Sequence, residues 1–109
     1  MRFFISILTT ALITGVAATL PKANEYQSSD CSGPLNYGHH SGLLTDVTMD
    51  DTTHSVYLSG TTGDWSGWSD KESDGGECSG WMIGIGTGCV NLDTADPHGY
   101  RIKCVRNMV

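Results

Sequence analysis

Four groups of side chains in this sequence could do chemistry. In the first, Tyr57, Trp65, Trp68 and Trp81 are interleaved with Asp64 and several serines. Indole faces stack on sugar rings and neighbouring polar groups fix hydroxyls, so Tyr57, Asp64, Trp65 and Trp68 form a candidate glycan or partner face. The competing use of these rings is structural, because both phenylalanines, Phe3 and Phe4, lie in the N-terminal apolar run. At least two of the tryptophans are therefore expected in the core. Trp65 and Trp68, three apart in a Gly/Ser-rich stretch, are the expected exposed pair.

The second group is Asp70-Lys-Glu-Ser-Asp-Gly75, with Glu77 just beyond. Asp70, Glu72 and Asp74 alternate before a glycine, as oxygen ligands do in a loop that wraps calcium. Against an EF-hand, the twelfth position is Trp81 rather than Glu and no helix flanks the loop, so a solvated acidic turn is the expected state. The third group is His39, His40, His54 and His98. A secreted ribonuclease could work with a His/Glu pair and an arginine, here Glu72 or Glu77 with Arg101. Adjacent His39 and His40 would point to opposite faces of a strand, and no local motif surrounds any of the four. They read as surface or turn histidines, and the protein as a non-enzyme with no catalytic residues. The fourth group, Gly84-Ile-Gly-Thr-Gly88, is a turn rather than a nucleotide loop, because no helix follows to present amide donors. Neither Gly-x-Ser-x-Gly nor His-Glu-x-x-His occurs, and no cofactor is implied.

What must position these groups is a small exported domain. Met1-Arg2 carries a positive charge, Phe3 to Ile13 is nearly unbroken apolar sequence, and Val16-Ala17-Ala18 offers small residues at signal-peptidase spacing. Residues 1–18 thus read as a secretory signal peptide too short to span a bilayer, and the protein as secreted and extracellular. Thr19 to Asp30 is polar and without period, a flexible N-terminal lead-in. Residues 31–109 then form a single disulfide-stabilised β domain, small enough to need its four cysteines, Cys31, Cys78, Cys89 and Cys104, as two bridges. Three pairings are open, with Cys31–Cys78 and Cys89–Cys104 preferred. A metal site is disfavoured, since no CxxC knuckle occurs.

Loss of Arg2 with the signal peptide takes the formal charge from −6 to −7. That acidity argues against phosphate backbones and anionic membranes. No nucleic acid and no stable membrane association are expected, and the partner is an extracellular protein or a glycan. Arg101, Lys103 and Arg106 read as a solvated strand face.

Turn signals recur every eight to twelve residues or so, the rhythm of an all-β sandwich or barrel. Strands are expected at about Leu43–Met49, His54–Ser59, Trp65–Ser69, Ser79–Ile85, Val90–Asp93 and Tyr100–Val105. Val56 and Leu58 share one face of the second, and Ile102 and Cys104 one face of the last.

Tyr57-Leu-Ser-Gly-Thr-Thr-Gly63 resembles the Tyr-x5-Gly corner of βγ-crystallin-like domains. Gly88-Cys-Val-Asn-Leu92 with Tyr100-Arg-Ile-Lys-Cys-Val105 resembles the final Cys-x-Asn-Leu and closing strand of their microbial members. The resemblance covers Val56 to Val105 and implies a small disulfide-tied β-sandwich or Greek-key barrel. It does not carry the family's calcium signature over. Before the last strand that signature is replaced by Asp93-Thr-Ala-Asp-Pro-His-Gly99, and in the nearer Asp50-Asp51-Thr-Thr-His-Ser55 a histidine stands where Ser or Thr belongs. The signal peptide, size, four cysteines and Gly/Ser/Thr/Asp-rich body are also similar to the small secreted, effector-like proteins of filamentous fungi. The expected function is extracellular recognition without catalysis, effector-like or antimicrobial, directed at a host, a competitor or the cell wall. The alternative is a carbohydrate-binding module using exposed aromatics; a ribonuclease-like enzyme or a calcium-binding crystallin-like domain comes behind both.

Overall fold

The computed structural model describes residues 20–41, 44–60 and 64–107. The expected signal peptide lies outside these residues, as do Leu43 and the end of the Tyr57–Gly63 corner. Eight strands follow one another: β1 (Lys22–Tyr26), β2 (Leu35–His40), β3 (Asp46–Thr48), β4 (Ser55–Ser59), β5 (Trp65–Lys71), β6 (Cys78–Gly86), β7 (Gly88–Asn91) and β8 (Cys104–Asn107). The described residues contain no helix, so none is long and apolar enough to cross a membrane.

The strands form two antiparallel four-stranded sheets with orders β2-β1-β4-β7 and β3-β8-β5-β6. Within each run of four consecutive strands, the first lies between the second and the fourth, and the third crosses to the opposite sheet. β3 thereby closes on β8, and β7 on β4. The result is a Greek-key sandwich, with the all-β, disulfide-tied architecture that the turn rhythm predicts.

Alternation makes the core. Val56 and Leu58 of β4 turn inward with Ala23, Val47, Trp65, Val90 and Val105, and Met49, Leu92 and Ile102 join them from the loops. Ile102 and Cys104 do not share a face as expected. β8 begins only at Cys104, where Val105 points to the core and Cys104 outward, so regular alternation does not run back through Lys103. Gly67 on β5 allows a close approach: a Cβ there would lie 2.8 Å from Ile102 Cδ1.

The expected flexible lead-in is corrected in part. Lys22–Tyr26 is β1, bonded on both sides within its sheet. Its inward residues are Ala23 and Glu25, one small and one charged, so it lacks the apolar alternation that marks a strand. Burial of Glu25 (2% exposed) is compensated by full bonding. Oε1 accepts from the Thr53 hydroxyl (2.7 Å) and the Asp50 amide (3.1 Å), and Oε2 lies 2.6 Å from His39 Nε2.

All four cysteines are paired, but as Cys31–Cys89 and Cys78–Cys104. The preferred pairing fails because the third-strand exchange puts Cys89 and Cys104 in different sheets. Each bridge stays within one sheet: Cys31, in the β1–β2 connection, reaches β7, and Cys78 on β6 reaches Cys104 on β8 across β5. Closing loops with separations of 58 and 26 residues removes chain entropy from the unfolded state, on the order of 3–5 kcal/mol for each bridge.

Candidate functional site

The face expected from Tyr57, Asp64, Trp65 and Trp68 does not assemble. Trp65 is wholly buried, its indole N–H donating to Ser59 O (3.2 Å), so it offers no ring to a ligand. Trp68 lies on the outer face of β5, half-buried, with its Nε1–H on the Ser66 hydroxyl (3.0 Å). One of its faces is taken by the Arg106 guanidinium, 5.1 Å from the ring centroid. Arg106 is itself fixed by two bonds to Asp46, Nε to Oδ1 (2.7 Å) and Nη2 to Oδ2 (2.9 Å). These bonds hold the Asp46 carboxyl below the usual carboxylate range, against the effect of its burial and with help from the Cys78 amide. Tyr57 is exposed on the outside of the other sheet, and Asp64 is exposed just before β5. The two rings share no face because strand parity and sheet membership, not sequence proximity, decide where a side chain points.

Trp81 is the tryptophan that folding leaves exposed, 69% on the edge strand β6. A bulge aims it. The β5–β6 register shifts between Trp68 and Asp70, Gly80 takes φ 84°, and the Trp81 amide donates to the Ser69 hydroxyl (2.8 Å). The run continues to Gly86 (φ 68°) and Gly88 (φ 94°), where the chain passes from one sheet to the other around Thr87 alone.

Against β6 stands the β7–β8 connection, and between them is a cleft of about 270 Å³ lined by Trp81, Met82, Ile83, Asp96, His98 and Tyr100. Met82 and Tyr100 are also about half exposed. Asp96 organises the loop. Its Oδ1 accepts from the His98 amide (2.7 Å) and from His98 Nδ1 (3.0 Å), and its carbonyl from the Gly99 amide (3.1 Å). The Asp96 side chain is only 4% exposed, whereas that of His98 is 74% exposed. A carboxylate only accepts, so His98 Nδ1 carries the proton and Nε2 is left as an acceptor, or as a donor when the ring is protonated. A larger depression, about 600 Å³, lies over β1 and β2 beside Lys22, Asn24 and His40. Neither tryptophan nor tyrosine lines it, and the smaller cleft has the better chemistry for a ligand.

The other candidate groups are engaged in structure. His54 Nδ1 binds Asp93 Oδ2 (2.7 Å), whose Oδ1 accepts from Arg101 Nη1 (2.9 Å). Arg101 Nη2 also donates to the carbonyls of Thr53 (2.6 Å) and Asp50 (2.9 Å), tying the β3–β4 turn to the β7–β8 connection. Burial pushes the Asp93 carboxyl up, but the His54 and Arg101 bonds outweigh it and hold the group below the usual range. His39 faces Glu25, whose other oxygen is already taken, and adjacent His40 is exposed on β2. The bonds of Arg101 thus go to Asp50, Thr53 and Asp93 rather than to Glu72 or Glu77, which are exposed at the β5–β6 turn.

Among the calcium candidates, Asp70 lies on β5 and accepts from the Lys71 amide, while Asp74 pairs with Lys71 Nζ (2.8 Å). That ammonium also donates to Met49 O (2.8 Å), so a cationic group already sits in the turn. Among the described residues no three His, Cys, Asp or Glu side chains converge as a metal-binding group.

Comparison with protein-family models, with curated proteins and with solved structures finds no match to the chain.

Proposed function

We propose that the protein is a small exported, non-enzymatic recognition protein that works outside the cell, effector-like or antimicrobial in action, through the cleft between β6 and the β7–β8 connection. One observation carries this reading. Trp81, Met82 and Tyr100, three of the large apolar side chains that folding leaves exposed, line that one cleft. Scattered apolar side chains are ordinary on a protein surface, whereas apolar groups clustered beside polar ones mark a place built for a ligand or partner.

The two disulfides support an oxidising, extracellular setting, as do the signal-peptide pattern and the resemblance to small secreted fungal proteins. The Greek-key connectivity supports the resemblance to βγ-crystallin-like domains, with the Arg101 guanidinium joining the Asp50–Thr53 turn to Asp93. Three of the four histidines, His39, His54 and His98, are paired with carboxylates inside the fold, an arrangement that supports a role in holding the presented surface.

Purified protein with both disulfides formed is expected to bind, or to impair the growth of, at least one member of a panel of fungal, bacterial and plant cells. Trp81→Ala is expected to lose that effect while keeping the wild-type melting temperature, because the ring is exposed. A Trp81→Ala variant as potent as the wild type would remove the cleft from the function.

A further inference from the structure

We infer that the ligand of this cleft is a carbohydrate, with one pyranose ring seated against Trp81 and its hydroxyls held by Asp96 and His98. The inference rests on the recognition reading above and gives its ligand a chemical class. A pyranose presents a face of C–H bonds and a rim of hydroxyls that both donate and accept. Its binding site must therefore offer an exposed aromatic face beside fixed polar atoms.

The cleft has both. Trp81 is exposed in a protein whose core already holds Trp65, and its ring lies outside the core cluster of the sandwich. Tyr100, 48% exposed, adds a second ring with a hydroxyl. Asp96 supplies a carboxylate more than nine-tenths buried, fixed by two bonds at Oδ1, while Oδ2 accepts no hydrogen bond among the described residues. An oxygen that no described donor occupies, on a carboxylate whose side chain is mostly buried beside a cleft, suits a sugar hydroxyl. His98 Nε2 stands alongside as a second polar atom. Both groups are pinned by the loop, so little side-chain entropy is lost when a sugar binds.

The other ligand classes fit less well. Phosphorylated or sulfated ligands meet the Asp96 carboxylate in a chain of formal charge −6. Drug-sized apolar ligands occupy sites of about 300–1,000 Å³, and the cleft, at about 270 Å³, is smaller. Quaternary ammonium ions favour aromatic faces and a free negative charge, but here the carboxylate charge is already shared with two donors on His98.

The full exported chain, disulfides intact, would be mixed with insoluble cellulose, chitin and β-1,3-glucan, and titrated with their soluble oligosaccharides while tryptophan fluorescence is followed. Retention on at least one polysaccharide is expected. Trp81→Ala and Tyr100→Ala, both at exposed rings, should each weaken it, Trp81→Ala by about tenfold or more. Asp96→Asn, which keeps the Oδ1 acceptor, should weaken it further than Trp68→Ala, which should leave it unchanged. Absence of retention and of any fluorescence change with all three glycans would overturn the sugar assignment, as would undiminished retention of Trp81→Ala. If tetramethylammonium quenches the wild type but not Trp81→Ala while the glycans fail, the sugar assignment falls and the recognition reading stands. If the glycans fail and Trp81→Ala also keeps full effect on cells, both fall.

Discussion

Arg101 donates to two backbone carbonyls, Asp50 O and Thr53 O, and to the Asp93 carboxylate. Carbonyl oxygens with a carboxylate are the donor set that a hard cation takes, and here a guanidinium fills it. The signature residues Asp50–Ser55 were legible in the sequence, but their occupant was not, because Arg101 lies 46 positions beyond Ser55 and reaches the turn only through the fold. Thermal unfolding of the wild type is therefore expected to be the same in excess calcium as in chelator, since a ligand must bind the native state to stabilise it. Arg101→Ala leaves two carbonyls without their donor and should cost roughly 2–3 kcal/mol, a fall in Tm on the order of 10 °C for a domain of this size. A calcium-dependent rise in the wild-type Tm would show that the guanidinium does not fill the site.

At the scale of the strand, much of the fold could be read and the site could not. β4 was legible because Val56 and Leu58 alternate with Ser55, Tyr57 and Ser59, and β5 to β7 because turn residues bracket them. β1 was hidden by its composition, since Glu25 turns inward where an apolar residue would be expected. Trp81 was hidden for a different reason. Its parity matches Ile83 and Ile85, which pack on the core, but it stands toward the start of an edge strand, where a cleft rather than the sandwich core lies beside it. Only the position of the β7–β8 connection decides that, and no periodicity encodes it. The Gly80 bulge is part of the same arrangement. Gly80→Ala puts a Cβ against the Ser69 side chain and forces a positive φ on a residue that resists it, at about 1–2 kcal/mol. It is expected to lower Tm and to change the acrylamide quenching of Trp81. Gly84→Ala, with nothing within 4 Å of the new Cβ, should change neither. Equal behaviour of the two variants would mean that the bulge does not aim the ring.

At the scale of the whole molecule, part of the stability at neutral pH rests on paired carboxylates and is sensitive to acid. The Asp46 carboxyl is held below its ordinary range by Arg106. Its contribution is therefore complete above the unfolded value of about 4 and is lost as pH falls through the lower folded value. Arg106→Ala should cost roughly 1 kcal/mol in urea unfolding at pH 7, and the gap should close as pH falls below about 4. A gap of constant size down to pH 2 would assign the cost to lost packing on Trp68 instead.

The exchange of third strands also bears on what happens when the backbone is cut. A single cut between β4 and β5 would divide the backbone into pieces carrying β1–β4 and β5–β8, yet each sheet draws three strands from one piece and one from the other. Cys31 lies in the first piece and Cys89 in the second, so their disulfide spans the cut. The nicked protein remains one covalent molecule, and its two pieces separate only when that bridge is reduced.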